Sequence, residues 1–164
     1  NTLLSDERAR LRLAVKQQNV NPTCVQSKNN ESDRDGWLIG IAHPSRAGEQ
    51  IATVRLRDAA LGTSGSTMQY FEANGRRFGH ILDPRTGWPA EGQVCVSVIA
   101  PTAAEADALS TAFYILGPDK TREYCERRPE IGAIVVSNHN LTEEPSVQVL
   151  GSARGIVTVR MTND

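Results

Sequence analysis

Hydrophobic positions in this chain fall mainly into short runs separated by turn-forming residues, and one longer stretch repeats at helical spacing. Residues 37–42 and 51–56 are apolar runs of strand length bounded by Gly, Pro and Ser. Residues 67–72 and 77–82 flank Asn74-Gly75, a dipeptide suited to the positive backbone angles of a tight hairpin. Val94, Val96, Val98 and Ala100 alternate with Cys95, Ser97 and Ile99, which predicts a strand with two distinct faces. Residues 131–136, 147–150 and 156–161 read as further strands. Residues 10–15 fit either a strand or a short helix, and the polar, aperiodic stretch 21–36 reads as a loop.

The helical stretch begins at Thr102, a good N-cap, with Glu105 placed to complete a capping box. Ala106, Leu109, Phe113 and Leu116 recur at helical spacing and are expected to face the core. Gly117 and Pro118 stop that helix. A second, charged helix follows over 119–128, with Tyr124 and Cys125 as its inner contacts. Strands arriving as hairpins, with helices clustered in the middle, predict an α+β fold with a largely antiparallel sheet. A leading segment over 1–36 and a domain over 37–164 describe the organisation.

Composition narrows the function. The chain has 164 residues, 39% of them hydrophobic, and a formal net charge of −1. No long basic block exists, and aromatics are scarce, so a nucleic-acid partner is not expected. No stretch approaches the roughly 18 apolar residues of a membrane span. The opening residues turn charged at once, unlike a secretory signal. Cys24, Cys95 and Cys125 show no metal-binding spacing, and Cys95 reads as a small core residue. The Asn30-Glu31-Ser32 and Asn140-Leu141-Thr142 sequons read as chance matches.

Three elements carry chemistry. Asp107 and Thr111 are four residues apart, so they share a helix face outside the apolar seam. A carboxylate beside a hydroxyl is a hard oxygen pair suited to Mg²⁺ or Ca²⁺. The plainer alternative is a solvated Asp and a Thr bonded back to its own helix. His80 leads a turn-rich segment, Ile81-Leu82-Asp83-Pro84-Arg85-Thr86-Gly87-Trp88-Pro89, and could donate to phosphate or move a proton. A turn stabilised by Asp83 explains the same residues equally well. Thr63, Ser64 and Gly65 lie in a small-residue stretch whose backbone amides could cradle an anion, although a plain loop is commoner. No phosphate-loop lysine follows, which excludes a Walker-type site there.

In this order, Thr63-Ser64-Gly65, then His80 to Pro89, then Ala106-Asp107-Ala108-Leu109-Ser110-Thr111-Ala112 and Leu116-Gly117, the chain resembles the FAD:protein FMN transferase (ApbE-like) family. The resemblance implies an enzyme that splits FAD at its pyrophosphate, passes FMN to a threonine of a target protein and releases AMP. It implies Asp107 and Thr111 as Mg²⁺ ligands and His80 as the catalytic group at the pyrophosphate. Thr63, Ser64, Gly65, His80 and Asp83 would line the FAD site. Family members are longer, so the chain is expected to carry the metal and pyrophosphate side of the site. The flavin wall would come from an N-terminal half or from a second copy in a homo-oligomer. The family also implies a bacterial periplasmic or cell-envelope location. Alternatives of the same resemblance are a non-catalytic flavin-binding module and an FAD pyrophosphatase. A lesser one makes Thr67 itself the flavin acceptor.

Overall fold

The computed structural model describes residues 24–26, 36–66, 70–73, 76–137, 144–155 and 157–159. Ten strands are present among them: β1 (Cys24–Gln26), β2 (Trp37–Ala42), β3 (Gln50–Leu56), β4 (Ala60–Gly65), β5 (Tyr70–Ala73), β6 (Arg76–Gly79), β7 (Cys95–Ala100), β8 (Gly132–Ser137), β9 (Ser146–Gly151) and β10 (Val157–Val159). One helix, α1 (Ala103–Arg127), and a 3₁₀ turn (Ser152–Gly155) complete the set. The expected α+β class holds, and every strand pairing is antiparallel.

The strands form a five-stranded sheet in the order β1-β4-β7-β8-β9, a three-stranded sheet β10-β3-β2, and the hairpin β5-β6. Helix α1 covers one face of the large sheet. There Ala60, Val96, Val98, Ala133 and Val135 meet Ala106, Phe113, Tyr114 and Cys125. The three-stranded sheet covers the other face. There Leu61, Cys95, Ile99, Ile134 and Val136 meet Ile41, Ile51, Val54 and Leu56. The predicted alternation along β7 is therefore real, but both of its faces are dry because the strand lies between two layers. Val94 precedes the strand and packs with the opposite cluster from Val96.

The Gly117 break is as expected: its φ of 80° and ψ of 176° interrupt α1 immediately before Pro118. Tyr124 then packs edge-on against Phe113, with ring centroids 5.2 Å apart, and Cys125 is buried.

Three local expectations need correction. Within the stretch read as a loop, Cys24–Gln26 is a strand that extends the large sheet by pairing with Ala60–Gly62. Leu116 does not face the core and is 45% exposed. On a helical wheel, Leu116 and Tyr114 diverge to opposite sides of the Ala106 line. Tyr114 is the one drawn inward, because its side of the helix meets the end of β4 and the hairpin. The capping box is half formed: Thr102 Oγ1 accepts the Glu105 amide at 3.2 Å, whereas the Glu105 carboxylate pairs with Arg128 at 2.8 Å. A guanidinium is the stronger partner for that carboxylate.

The predicted hairpin is present, with Ala73 opposite Arg76. The Asn74-Gly75 turn itself lies outside the described residues. So do residues 10–15, Thr67, both sequons and most of the 21–36 stretch. Among the described residues, no helix is long and apolar enough to cross a membrane.

Candidate functional site

Strand β4 crosses beneath the first turns of α1, and Gly62 sets how closely. A Cβ at Gly62 would stand 2.6 Å from the Ala106 carbonyl carbon and 2.8 Å from the Asp107 amide nitrogen. Neither backbone atom can yield, so only glycine fits. The pleat then returns Ser64 to the same face two residues later. Its Oγ lies 2.8 Å from Ser110 Oγ and 2.9 Å from Thr111 Oγ1. Ser110 Oγ donates to the Asp107 carbonyl at 2.9 Å. Thr111 reaches that same carbonyl only at 3.5 Å, the outer limit of a hydrogen bond. Asp107 and Thr111 are exposed, and Ser110 beneath them is fully buried.

Thr63 belongs to the other face. Its Oγ1 lies 2.8 Å from Ser97 Oγ, opposite it in the β4–β7 register. The expectation of a loop around Thr63, Ser64 and Gly65 is thus corrected. The segment is a strand end paired with Ser97, Val96 and Cys95, and towards the helix it presents a side-chain hydroxyl.

The chain leaves β4 through a narrow neck, where the Ser66 amide donates to the Val94 carbonyl at 3.1 Å. Between those points run the β5–β6 hairpin and the His80 segment. Gly79 lies against Ser66: a Cβ there would be 2.9 Å from the Ser66 Cβ and 3.8 Å from the Tyr114 hydroxyl. His80, exposed and next in sequence, is thereby carried to the end of β4 and the middle of α1. Burial raises the Tyr114 pKa, and its hydrogen bond with Ser66 opposes that rise.

Beyond His80 the chain folds back on itself. The Ala90 amide donates to the Ile81 carbonyl at 2.9 Å, and the Gly87 amide to the Asp83 carbonyl at 2.7 Å. The Asp83 carboxylate receives the Arg85 amide at 2.9 Å and the Arg85 guanidinium at 2.6 Å. Those bonds from Arg85 hold Asp83 below the usual carboxylate range. Arg85 also reaches the Ile115 carbonyl at 3.4 Å, which leans the turn on α1. These contacts stabilise the turn through Asp83.

The structure thus gathers Ser64, Asp107 and Thr111, sets His80 next to Gly79 at the Ser66–Tyr114 contact, holds Asp83 in a turn and sends Thr63 to the other face. Sequence reasoning missed Ser110. Its signal was a hydroxyl on the apolar stripe of the helix, where a polar side chain needs partners. The donors at the helix face are one carboxylate and hydroxyls, all hard oxygen, which suits Mg²⁺ completed by phosphate oxygens. Among the described residues, no group of three or more His, Cys, Asp or Glu gathers to form an alternative metal centre.

A family model described as the ApbE family matches residues 20–135. The chain belongs to the ApbE family. It is 34% identical to the FAD:protein FMN transferase of Haemophilus influenzae over 71% of this chain and 34% of that protein. It is 42% identical to the protein of the same name from Escherichia coli K12 over 56% of this chain and 26% of that one. Among solved structures it resembles the apo flavinyl transferase ApbE of Pseudomonas stutzeri. The TM-score is 0.63 at 31% identity, covering 81% of this chain and 40% of that one. The ApbE protein of Thermotoga maritima superposes with a TM-score of 0.62 at 32% identity, covering 73% and 38%. The chain spans about a quarter to a third of the length of the first curated ApbE relatives it matches. The residues matched by the family model include α1 and the strands β4 and β6 that lead to Ser64 and His80.

Proposed function

We propose that this chain supplies the metal and pyrophosphate side of an FAD:protein FMN transferase site, in which Mg²⁺ is held by Asp107 and Thr111. The observation that carries the reading is the open helix face: an exposed carboxylate and hydroxyl one turn apart, with Ser64 at 2.9 Å from the hydroxyl. The names of the family relatives support the reaction. When bound, Mg²⁺ neutralises charge on the pyrophosphate.

In this reaction the hydroxyl oxygen of an acceptor threonine forms a bond to the FMN phosphorus. The bond from that phosphorus to the bridging oxygen breaks, and AMP departs with the electron pair. The acceptor's hydroxyl proton passes to solvent, and in this reading His80 donates one to the departing oxygen. Phosphoryl transfer asks mainly for such positioning and charge neutralisation. The flavin ring would be held by an N-terminal half or by another copy of the chain, and the reaction would take place at the bacterial cell envelope.

The test is to supply FAD, Mg²⁺ and an acceptor protein, and to follow AMP release together with the mass of the acceptor. Asp107→Ala should reduce AMP release about a thousandfold, the loss of several kcal/mol of charge stabilisation. FAD binding without AMP would favour a binding module, and AMP without an adduct would favour hydrolysis. Binding and turnover untouched by Asp107→Ala would overturn the assignment.

A further inference from the structure

Four contacts join Asp107, Ser110, Ser64 and Thr111, and counting protons gives them a direction. Each hydroxyl has one proton to donate and lone pairs with which to accept. The Asp107 carbonyl can only accept, so the 2.9 Å contact spends the Ser110 proton. At the 2.8 Å contact Ser110 must then accept, which spends the proton of Ser64. At the 2.9 Å contact Ser64 must accept in turn, so the donor is Thr111. Three protons fill three short bonds, running from Thr111 through Ser64 and Ser110 to the Asp107 carbonyl. The remaining 3.5 Å contact from Thr111 to that carbonyl is the weakest of the four.

We infer that Ser110 and Ser64 are positioning residues that hold the Thr111 hydroxyl with its proton turned inward and its lone pairs turned out towards a cation. This rests on the metal-site reading of Asp107 and Thr111. Ser110 touches neither metal nor substrate, since it is fully buried. Its part is to draw off the Ser64 proton, which would otherwise point at Thr111 and occupy a lone pair a cation needs. Outer partners of this kind orient metal ligands, and their loss commonly costs 10–100-fold in affinity.

The chain makes a prediction that simple packing does not. Ser110→Ala removes the acceptor of the Ser64 proton and leaves Thr111, 2.9 Å away, to meet it, so cation binding weakens. Removing the Ser64 hydroxyl as well frees Thr111 again, so the double variant Ser64→Ala/Ser110→Ala binds the cation better than Ser110→Ala alone. A purely structural role would make the double variant worse.

The measurement is Mn²⁺ binding to the full chain in the presence of FAD, read from the free-ion electron paramagnetic resonance signal. Melting curves by circular dichroism run alongside. Ser110→Ala should weaken Mn²⁺ about tenfold or more, and the double variant should recover most of that loss. Ser110→Cys keeps the site filled with a somewhat larger and much poorer acceptor, and should weaken binding even if the alanine variant folds badly. Wild-type Mn²⁺ affinity in both Ser110 variants, or a double variant weaker than the single, overturns the inference. Asp107→Ala separates the two levels. If it abolishes Mn²⁺ binding while the Ser110 variants do not weaken it, only the hydrogen-bond chain is wrong. If Asp107→Ala changes nothing, the metal-site reading fails.

Discussion

Thr63 and Ser64 are neighbours on one strand, yet each hydroxyl enters a different world. Thr63 turns towards the three-stranded sheet and meets Ser97 at 2.8 Å, in a layer otherwise built from Leu61, Cys95, Ile99, Val54 and Leu56. Ser64 turns towards α1 and joins hydroxyls that end at the surface on Thr111. The first arrangement satisfies polar groups inside a packed layer. The second leaves oxygen lone pairs facing outward. The strand pleat alone makes the difference, so residue type is a poor guide to role where small hydroxyl residues cluster.

The largest effect should come from disturbing the helix side. Gly62→Val places side-chain atoms on the Ala106–Asp107 backbone and forces β4 away from α1. We expect a loss of about 3 kcal/mol in denaturant unfolding, with Mn²⁺ binding lost too. On the sealed side, Thr63→Val strands the buried Ser97 hydroxyl and should cost about 2 kcal/mol while leaving Mn²⁺ affinity unchanged. Adding Ser97→Ala should return most of that stability. A Thr63→Val variant with weakened Mn²⁺ binding would erase the contrast between the two faces.

The smallest effect concerns the turn beside the open face. Asp83 has a lowered pKa, chiefly through its bonds from Arg85. A lowered carboxylate stabilises the turn fully above its ordinary value near 3.8 and stops doing so as pH falls through the lower, folded value. In a Trp37→Phe background, Trp88 fluorescence should therefore report loosening of the turn only below the ordinary carboxylate range. Arg85→Gln should move that midpoint upward towards 3.8. A midpoint already at the ordinary value in the parent chain would show that Arg85 does not hold Asp83 in solution.

Much of this architecture was legible because local signals agreed with one another. Asn74-Gly75 between apolar runs announced the β5–β6 hairpin, and Thr102 with Gly117-Pro118 bounded the first part of α1. Asp107 and Thr111 were found because helical spacing alone puts them on one face. The failures share a cause: each depended on what lay across a tertiary contact. Cys24–Gln26 is a strand because β4 offers it an edge, and nothing in its own polar surroundings says so. Leu116 was displaced from the core by Tyr114, whose partner Ser66 is 48 positions earlier in the chain. Thr63 was grouped with Ser64 because a loop was expected, and a loop has no pleat to separate them. Ser110 stayed hidden because its meaning comes from Ser64 on another element.

The neck formed by Ser66 and Val94 has a consequence for how such a protein can diverge. Strands β4 and β7 are sheet neighbours joined by an excursion that holds the hairpin, His80 and the Asp83–Arg85 turn, and one hydrogen bond closes its base. A segment whose two ends already touch can be lengthened, shortened or exchanged without shifting the register of the strands that carry it. Substrate preference could therefore drift by remodelling residues between 66 and 94 around a retained His80, while the hydroxyls and carboxylate on the helix side are inherited unchanged.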